Sequence, residues 1–200
     1  MSIKNMPVVP LRGLTVFPNM VISFPIGRKL SLDAVEAAHD NDDMIFLVTQ
    51  KDSEESEPTE DSLAQVGTVC KIKQVLKLPA NVTHIIVEGL NRAYAQNTHI
   101  DEYFVSDAEI IDDKLPSAYD DDIQSQALMR LANEDFEKYT KLNNAMPAND
   151  VMLTLISAKT PGQLADAIAA GMNISNEEKL KLLETIDPIE RIKSVIGILT

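Results

Sequence analysis

The sequence predicts an α+β fold in two parts: a twisted, partly closed antiparallel sheet of about six strands with one helix, then an all-helical bundle. Apolar runs in the first half are short, rich in Val and Ile, and mostly bounded by Gly, Pro, Asn or Asp. Apolar positions in the second half recur at helical spacing. Helix-start chemistry punctuates that half at Thr160-Pro161-Gly162-Gln163, Ser175-Asn176-Glu177-Glu178 and Asp187-Pro188-Ile189-Glu190. The change falls near Lys114-Leu115-Pro116, giving a β-rich part over 1–115 and a helical part over 116–200, with the acidic stretch 112–122 between them.

Each element has its own signal. Met6-Pro7-Val8-Val9-Pro10-Leu11-Arg12, together with Pro18 and Pro25, is too rich in proline for a helix interior. It is predicted as an extended segment at the edge or end of a sheet. Residues 30–40 carry Leu30, Ala34, Val35 and Ala38 at helical spacing. Strands are predicted over 44–48, 69–78, 83–87 and 103–111. In 69–78, Val69, Ile72, Val75, Leu76 and Leu78 mix with Lys71, Lys73 and Lys77, which leaves one face wet. Pro79-Ala80-Asn81 reads as the turn of a long hairpin.

After Pro116, Ile123, Ala127, Leu131 and Tyr139 belong to one long helix ending near Asn143-Asn144. Val151, Met152, Leu155 and Ile156 belong to another, and three more follow the start signals, for about five helices in all. In each start signal a capping box is expected, with Pro161 and Pro188 at first helical positions where a missing N–H costs nothing. Gly171 is the expected stop of the helix bearing Leu164, Ala165, Ile168 and Ala169. Ile189, Ile192, Ile196 and Leu199 form a narrow seam on the last helix. No terminating signal follows it, so that helix is expected to continue beyond residue 200.

Composition sets the function classes. With 44% hydrophobic and 24% charged residues in 200, the chain has the balance of a soluble globular protein. A net charge of -13 argues against strong binding to nucleic acid or to an anionic membrane. No apolar run reaches the ~20 residues of a membrane span, and the N-terminus has no signal-peptide pattern. The single cysteine, Cys70, excludes an internal disulfide and fits a reducing compartment, so a cytoplasmic location is expected.

Catalytic signatures are missing. None of the seven glycines is followed by Lys, so no P-loop is present, and there is no Gly-x-Ser-x-Gly elbow. His39, His84, His99 and Cys70 stand singly, without metal-ligand spacing. Asp120-Asp121-Asp122 suits a helix N-terminus better than a metal site, because consecutive helical residues do not share a face. No catalytic, cofactor-binding or metal-ligating residue is assigned.

Binding candidates remain. The acidic run 52–61 is a solvated loop or an interaction segment. Arg12, Arg28 and Arg92 either clamp an anion or peptide terminus, or tie loops to carbonyls and to acids such as Glu88. Gly27, Gly67 and Gly89 read as turn or bulge positions. Pro18, Met20, Leu76, Leu78 and Pro79 are apolar residues that turn chemistry should bring to the surface, where they form a candidate patch for greasy peptides. Phe17 is expected to close the bottom of the sheet core, and for Met20 and Pro18 that role is the competing reading.

The ordered set of Met6–Leu11 with Arg12, Val16-Phe17-Pro18-Asn19-Met20, Gly27-Arg28, Val66-Gly67-Thr68-Val69 and Val87-Glu88-Gly89-Leu90-Asn91-Arg92-Ala93 resembles the N-terminal domain of Lon, the ATP-dependent serine protease family. The resemblance runs from about Met6 to about Leu199. It implies a β pseudo-barrel like that of PUA domains, followed by the helical part. It also implies recognition of unfolded or degron-bearing proteins, and support for a homo-hexamer that passes them to ATPase and protease domains. In such proteins the Walker motifs and the serine–lysine dyad lie downstream, with ATP and Mg as their cofactors, and a solvated loop sits where 52–61 stands. A stand-alone regulatory protein with this domain type is the alternative.

Overall fold

In a computed structural model of the chain, the proline-rich opening is strand β1 (Ser2–Leu11), and it is central rather than at an edge. The structure describes residues 1–79, 82–113, 123–143 and 149–200. β1 lies between β3 (Met44–Thr49) and β6 (Phe104–Ile110). Its prolines survive there because the two neighbours flank different stretches. Pro7 pairs opposite Val105 in the part flanked by β6, and Pro10 opposite Val48 in the part flanked by β3. Each proline therefore has one open side for its missing N–H, as an edge strand would provide.

The other strands are β2 (Val21–Ile26), β4 (Val66–Leu78) and β5 (Val82–Ile100). Their order is β2-β5-β4-β3-β1-β6, and β5 also pairs with β6. The ladders thus return on themselves through β5, β4, β3, β1 and β6, with β2 added outside. The sheet is mixed, not antiparallel throughout: β1 and β3 run parallel. The chain between them carries β2 and helix α1 (Lys29–Ala38), the long crossover that a parallel pair requires. β5 is far longer than the 83–87 strand expected, because its second half turns polar residues to solvent while still pairing with β6.

Ring closure is pinned by one carboxylate. Bulges interrupt β1 between Ile3 and Met6 and β5 between Gln96 and His99. Each holds an asparagine in the left-handed region, Asn5 and Asn97, both at φ 52°. On β6, Asp107 accepts hydrogen bonds from the Lys4 ammonium at 2.7 Å, the Asn97 amide at 2.9 Å and the Asn5 backbone N–H at 3.1 Å. These donors hold its carboxyl down at about 2, the Lys4 bond being the largest cause.

The core of this unit packs Ala34, Val35 and Ala38 of α1 against Val9, Leu11, Ile45, Leu47, Ile85 and Val87. The chain divides at residue 111, as units Met1–Ile111 and Asp112–Thr200. Ala80, Asn81, Pro116, Asp120, Asp121, Asp122 and Asn144, which figured in turn, boundary and capping expectations, lie outside the described residues.

The second unit holds α2 (Ile123–Leu142), α3 (Asn149–Ser157), α4 (Pro161–Gly171), α5 (Asn176–Glu184) and α6 (Pro188–Leu199). The buried face of α2 is not the expected one. Ser125, Ala132, Asp135 and Phe136 are buried, whereas Ile123 and Leu131 are exposed. Of the expected capping boxes, Ser175 and Glu178 form a reciprocal one. Thr160 caps Gln163 N–H, but the Gln163 side chain accepts from Lys159 N–H. Asp187 accepts from both Ile189 and Glu190 N–H, while Glu190 pairs with Lys193.

Gly171 ends α4 and also admits its neighbours: a Cβ there would meet Val151 at 3.0 Å and Phe136 at 3.1 Å. The buried face of α6 is broader than a seam, because Arg191 and Val195 join Pro188, Ile189 and Ile192. Fully buried Arg191 donates to the carbonyls of Thr185 and Ile186 and to the Asp113 carboxylate, and its Nε lies 3.1 Å from Asp166. Arg191 is a charge at the centre of a helical core, held by two acids.

Candidate binding surfaces of the β unit

The hairpin of β4 and β5, with β2 beside it, has an inner and an outer face. Cross-strand pairing puts Phe24, Ile85 and Val75 on one face, and Ile22, Val87 and Ile72 follow it; all pack into or against the core cluster. Alternation then turns Pro25, His84 and Leu76 outward, with Leu78 opposite Val82, and with Ile86 and Val21 further along. Leu78 is 44% exposed, Val82 38% and Val21 41%. The bulge between Ile72 and Gln74 keeps Leu76 and Leu78 on this side. At the far end the strip meets charge, where Lys73 pairs with Glu88 at 2.5 Å.

The predicted patch is therefore divided. Leu76 and Leu78 stand on the outer strip, and Pro79 is exposed at its tip. Pro18 and Met20 sit elsewhere. Met20 N–H bonds Phe17 carbonyl at 3.3 Å and Asn19 has φ 62°, a turn with Pro18 and Asn19 as its central residues. That turn docks on Gly89 through Asn19 N–H to Gly89 carbonyl and Gly89 N–H to Met20 carbonyl, both 2.8 Å. Gly89 lies roughly 20 Å along β5 from the hairpin tip at ~3.3 Å per residue. Both Pro18 and Met20 are half-buried, Met20 against the core, and Phe17 is fully buried. Sequence reading missed Pro25, Val82 and Ile86; the alternation of β2 and β5 was the signal that could have found them.

The motif glycines separate by space. A Cβ at Gly67 would meet the Leu47 carbonyl at 2.5 Å, and one at Gly89 would run into the Phe17 carbonyl. A Cβ at Gly27 meets nothing within 4 Å. The arginines separate as well. Arg12 Nε donates to the Ser53 carbonyl and Arg28 Nη1 to Gln50 Oε1 at 2.6 Å, while Gln50 Nε2 reaches the Glu55 carbonyl at 3.1 Å. The acidic loop is thereby fastened to the sheet, with Pro58 buried beneath it. Arg92 is buried in β5 opposite Thr68. Glu88 makes its ion pair with Lys73.

Burial pushes the Cys70 thiol well above its ordinary pKa, so it is no nucleophile. Among the described residues, no group of three or more His, Cys, Asp or Glu could hold a metal ion, and no helix is long and apolar enough to cross a membrane.

The chain is a six-stranded sheet that closes through β5, with an exposed apolar strip on its outer hairpin, and a separate helical unit. The family model described as "ATP-dependent protease La (LON) substrate-binding domain" matches residues 5–200, and the chain belongs to that family. Lon protease of Clostridium acetobutylicum is 40% identical over 196 residues, which is 98% of this chain and 25% of that protein. Lon protease 1 of Bacillus subtilis is 38% identical over 197 residues, 96% of this chain and 24% of that one. The chain thus spans about a quarter of the length of these relatives. In fold it is similar to the N-terminal domain of a Mycobacterium avium complex Lon protease, with TM-score 0.73, 21% identity and 98% of both chains covered. A Lon N-terminal domain protein from Xanthomonas campestris matches at TM-score 0.63 and 16% identity, again over 98% of both chains.

Proposed function

We propose that this chain captures unfolded or degron-bearing proteins for an ATP-dependent Lon serine protease, and that the outer strip of β2, β5 and β4 is where apolar segments land. The observation that carries this is the exposure of Leu78 and Val82 side by side on a face turned away from the core. A shallow strip of aliphatic side chains imposes little shape and accepts many sequences. The closed pairing ring supports a PUA-like pseudo-barrel as its scaffold. On this reading the serine–lysine dyad, the Walker motifs and their ATP and Mg belong to parts of the protein outside these residues. The full protein works as a cytoplasmic homo-hexamer, and weak contacts gain by multivalency. The names of the relatives favour this over a stand-alone regulatory protein.

Titrating a permanently unfolded protein, such as reduced and alkylated α-lactalbumin, tests the reading. Affinity in the high-micromolar range is expected, about -5 to -6 kcal/mol. Leu78→Asp with Val82→Asp should abolish binding at an unchanged melting temperature. Met20→Asp should instead lower the melting temperature, because that side chain packs on the core. Unaltered binding by the double variant refutes the strip.

A further inference from the structure

At the far end of β2 from the Gly89 turn lies a cavity of about 160 Å³ lined by Val9, Leu11, Phe24, Pro25, Ile26 and neighbouring residues, with Arg12, Arg28 and Ser31 as its charged and hydroxyl-bearing members. Among the described residues no acid lines it, in a chain of net charge -13. Arg12 spends Nε on the Ser53 carbonyl and Arg28 spends Nη1 on Gln50, which leaves further N–H groups of both forks for a ligand. Ser31 is 4% exposed, and its hydroxyl has no hydrogen-bond partner among the described residues. The same wall is the start of α1, where Arg28 is the N-cap, no side chain caps the helix and no acid occupies the first turn. Ser31 N–H is itself taken by the Arg28 carbonyl at 3.0 Å, so the helix start adds only its general N-terminal field, which favours an anion.

Size and lining choose among anions. Pockets for drug-sized molecules are ~300–1,000 Å³, so this one takes one small group and not a nucleotide. Free phosphate would leave the wall of Val9, Leu11, Phe24 and Ile26 unmatched. A carboxylate attached to a small apolar side chain satisfies both parts. A neighbouring cavity of about 170 Å³ shares Pro10, Arg28 and Ser31 but adds both Lys29 and Glu57, so its charge is mixed where the charged lining of the first is cationic alone. The geometry points to a pocket for the free C-terminal carboxylate of a peptide whose last residue is apolar. It rests on the substrate-binding reading above and names a substrate class for it, since Pro25 belongs to both the pocket and the outer strip.

The test uses the full 200-residue chain and one short unstructured peptide ending in Leu, as free acid and as C-terminal amide, with inorganic phosphate as competitor. The acid should bind about tenfold tighter than the amide, the worth of one charge-assisted hydrogen bond. Phosphate should displace the acid and not the amide. Arg28→Gln should erase the difference between the peptides without weakening the amide. Should that variant fail to fold, Ser31→Ala should narrow the difference severalfold. Equal affinities of acid and amide in the unmodified chain, or no binding of either, overturn the pocket, whatever phosphate does. Equal binding of acid and amide that is lost for both in Leu78→Asp would leave the strip standing while the pocket falls, so the two failures are distinguishable.

Discussion

At Gly67 a methyl group would press on the Leu47 carbonyl and on the Phe46 and Val48 side chains, all part of the neighbouring strand β3. Neither backbone nor buried ring can move aside cheaply, so Gly67→Ala should cost about 1–3 kcal/mol, the usual price of overpacking. Gly27→Ala meets open space and should change stability by less than about 0.5 kcal/mol. Urea midpoints of the two variants check this, and equal midpoints would contradict the packing. Cys70 makes a second residue-scale prediction. Its thiol is buried and its Sγ lies 3.4 Å from the Thr68 carbonyl. An aromatic disulfide reagent should label it only at the rate at which the sheet opens, and rapid labelling of native protein would disprove that burial. The motif glycines look alike in the sequence, and only the partner strand separates the crowded pair from Gly27.

On the scale of elements, Asp107 ties β6 to bulges in both of its neighbours. Its carboxyl falls from the ordinary 3.8 to about 2 in the folded chain, so it stabilises the fold fully above about pH 4, and that contribution drains away as pH falls through 2. Asp107→Asn should flatten this acid limb and lower the melting temperature at neutral pH. Melting curves between pH 2 and pH 5 decide it, and parallel limbs for variant and parent would count against the tie. None of this was legible beforehand, since the second half of β5 reads as polar chain with Arg92, Gln96, Asn97 and His99. Its pairing depends on strands distant in sequence. The hairpin, α1 and the start of α5 were legible because turn residues, helical spacing and caps act locally. On α2 the apolar pattern misled: Ile123 and Leu131 point outward, and the packed face uses Ala132, Asp135 and Phe136. Arg191 was missed because no periodicity rule assigns a charge to a core.

For the whole molecule, where the chain is divided has energetic weight. Arg191 holds Asp113, so a fragment starting at residue 112 keeps that partner and one starting at 116 loses it. Stripping an acid from a buried cation costs about 3–5 kcal/mol, so fragment 112–200 should outlast 116–200 in urea by an amount of that order. Equal stability would show that Asp166 alone satisfies the guanidinium. The β unit carries a different constraint. Ser2 of the first strand pairs with Glu109 of the last, and Val8 to Leu11 pair with β3 on the way. A ribosome adding ~5–20 residues per second therefore releases the apolar opening many seconds before its last neighbour exists. During that interval Met6, Val8, Val9 and Leu11, all buried in the finished fold, stand bare on a nascent chain. In the finished fold Val8 to Leu11 also pair with β3, which precedes β6 in the chain. The opening's proline residues, which cannot extend a ladder on both sides, guard it from wrong partners until translation reaches β6.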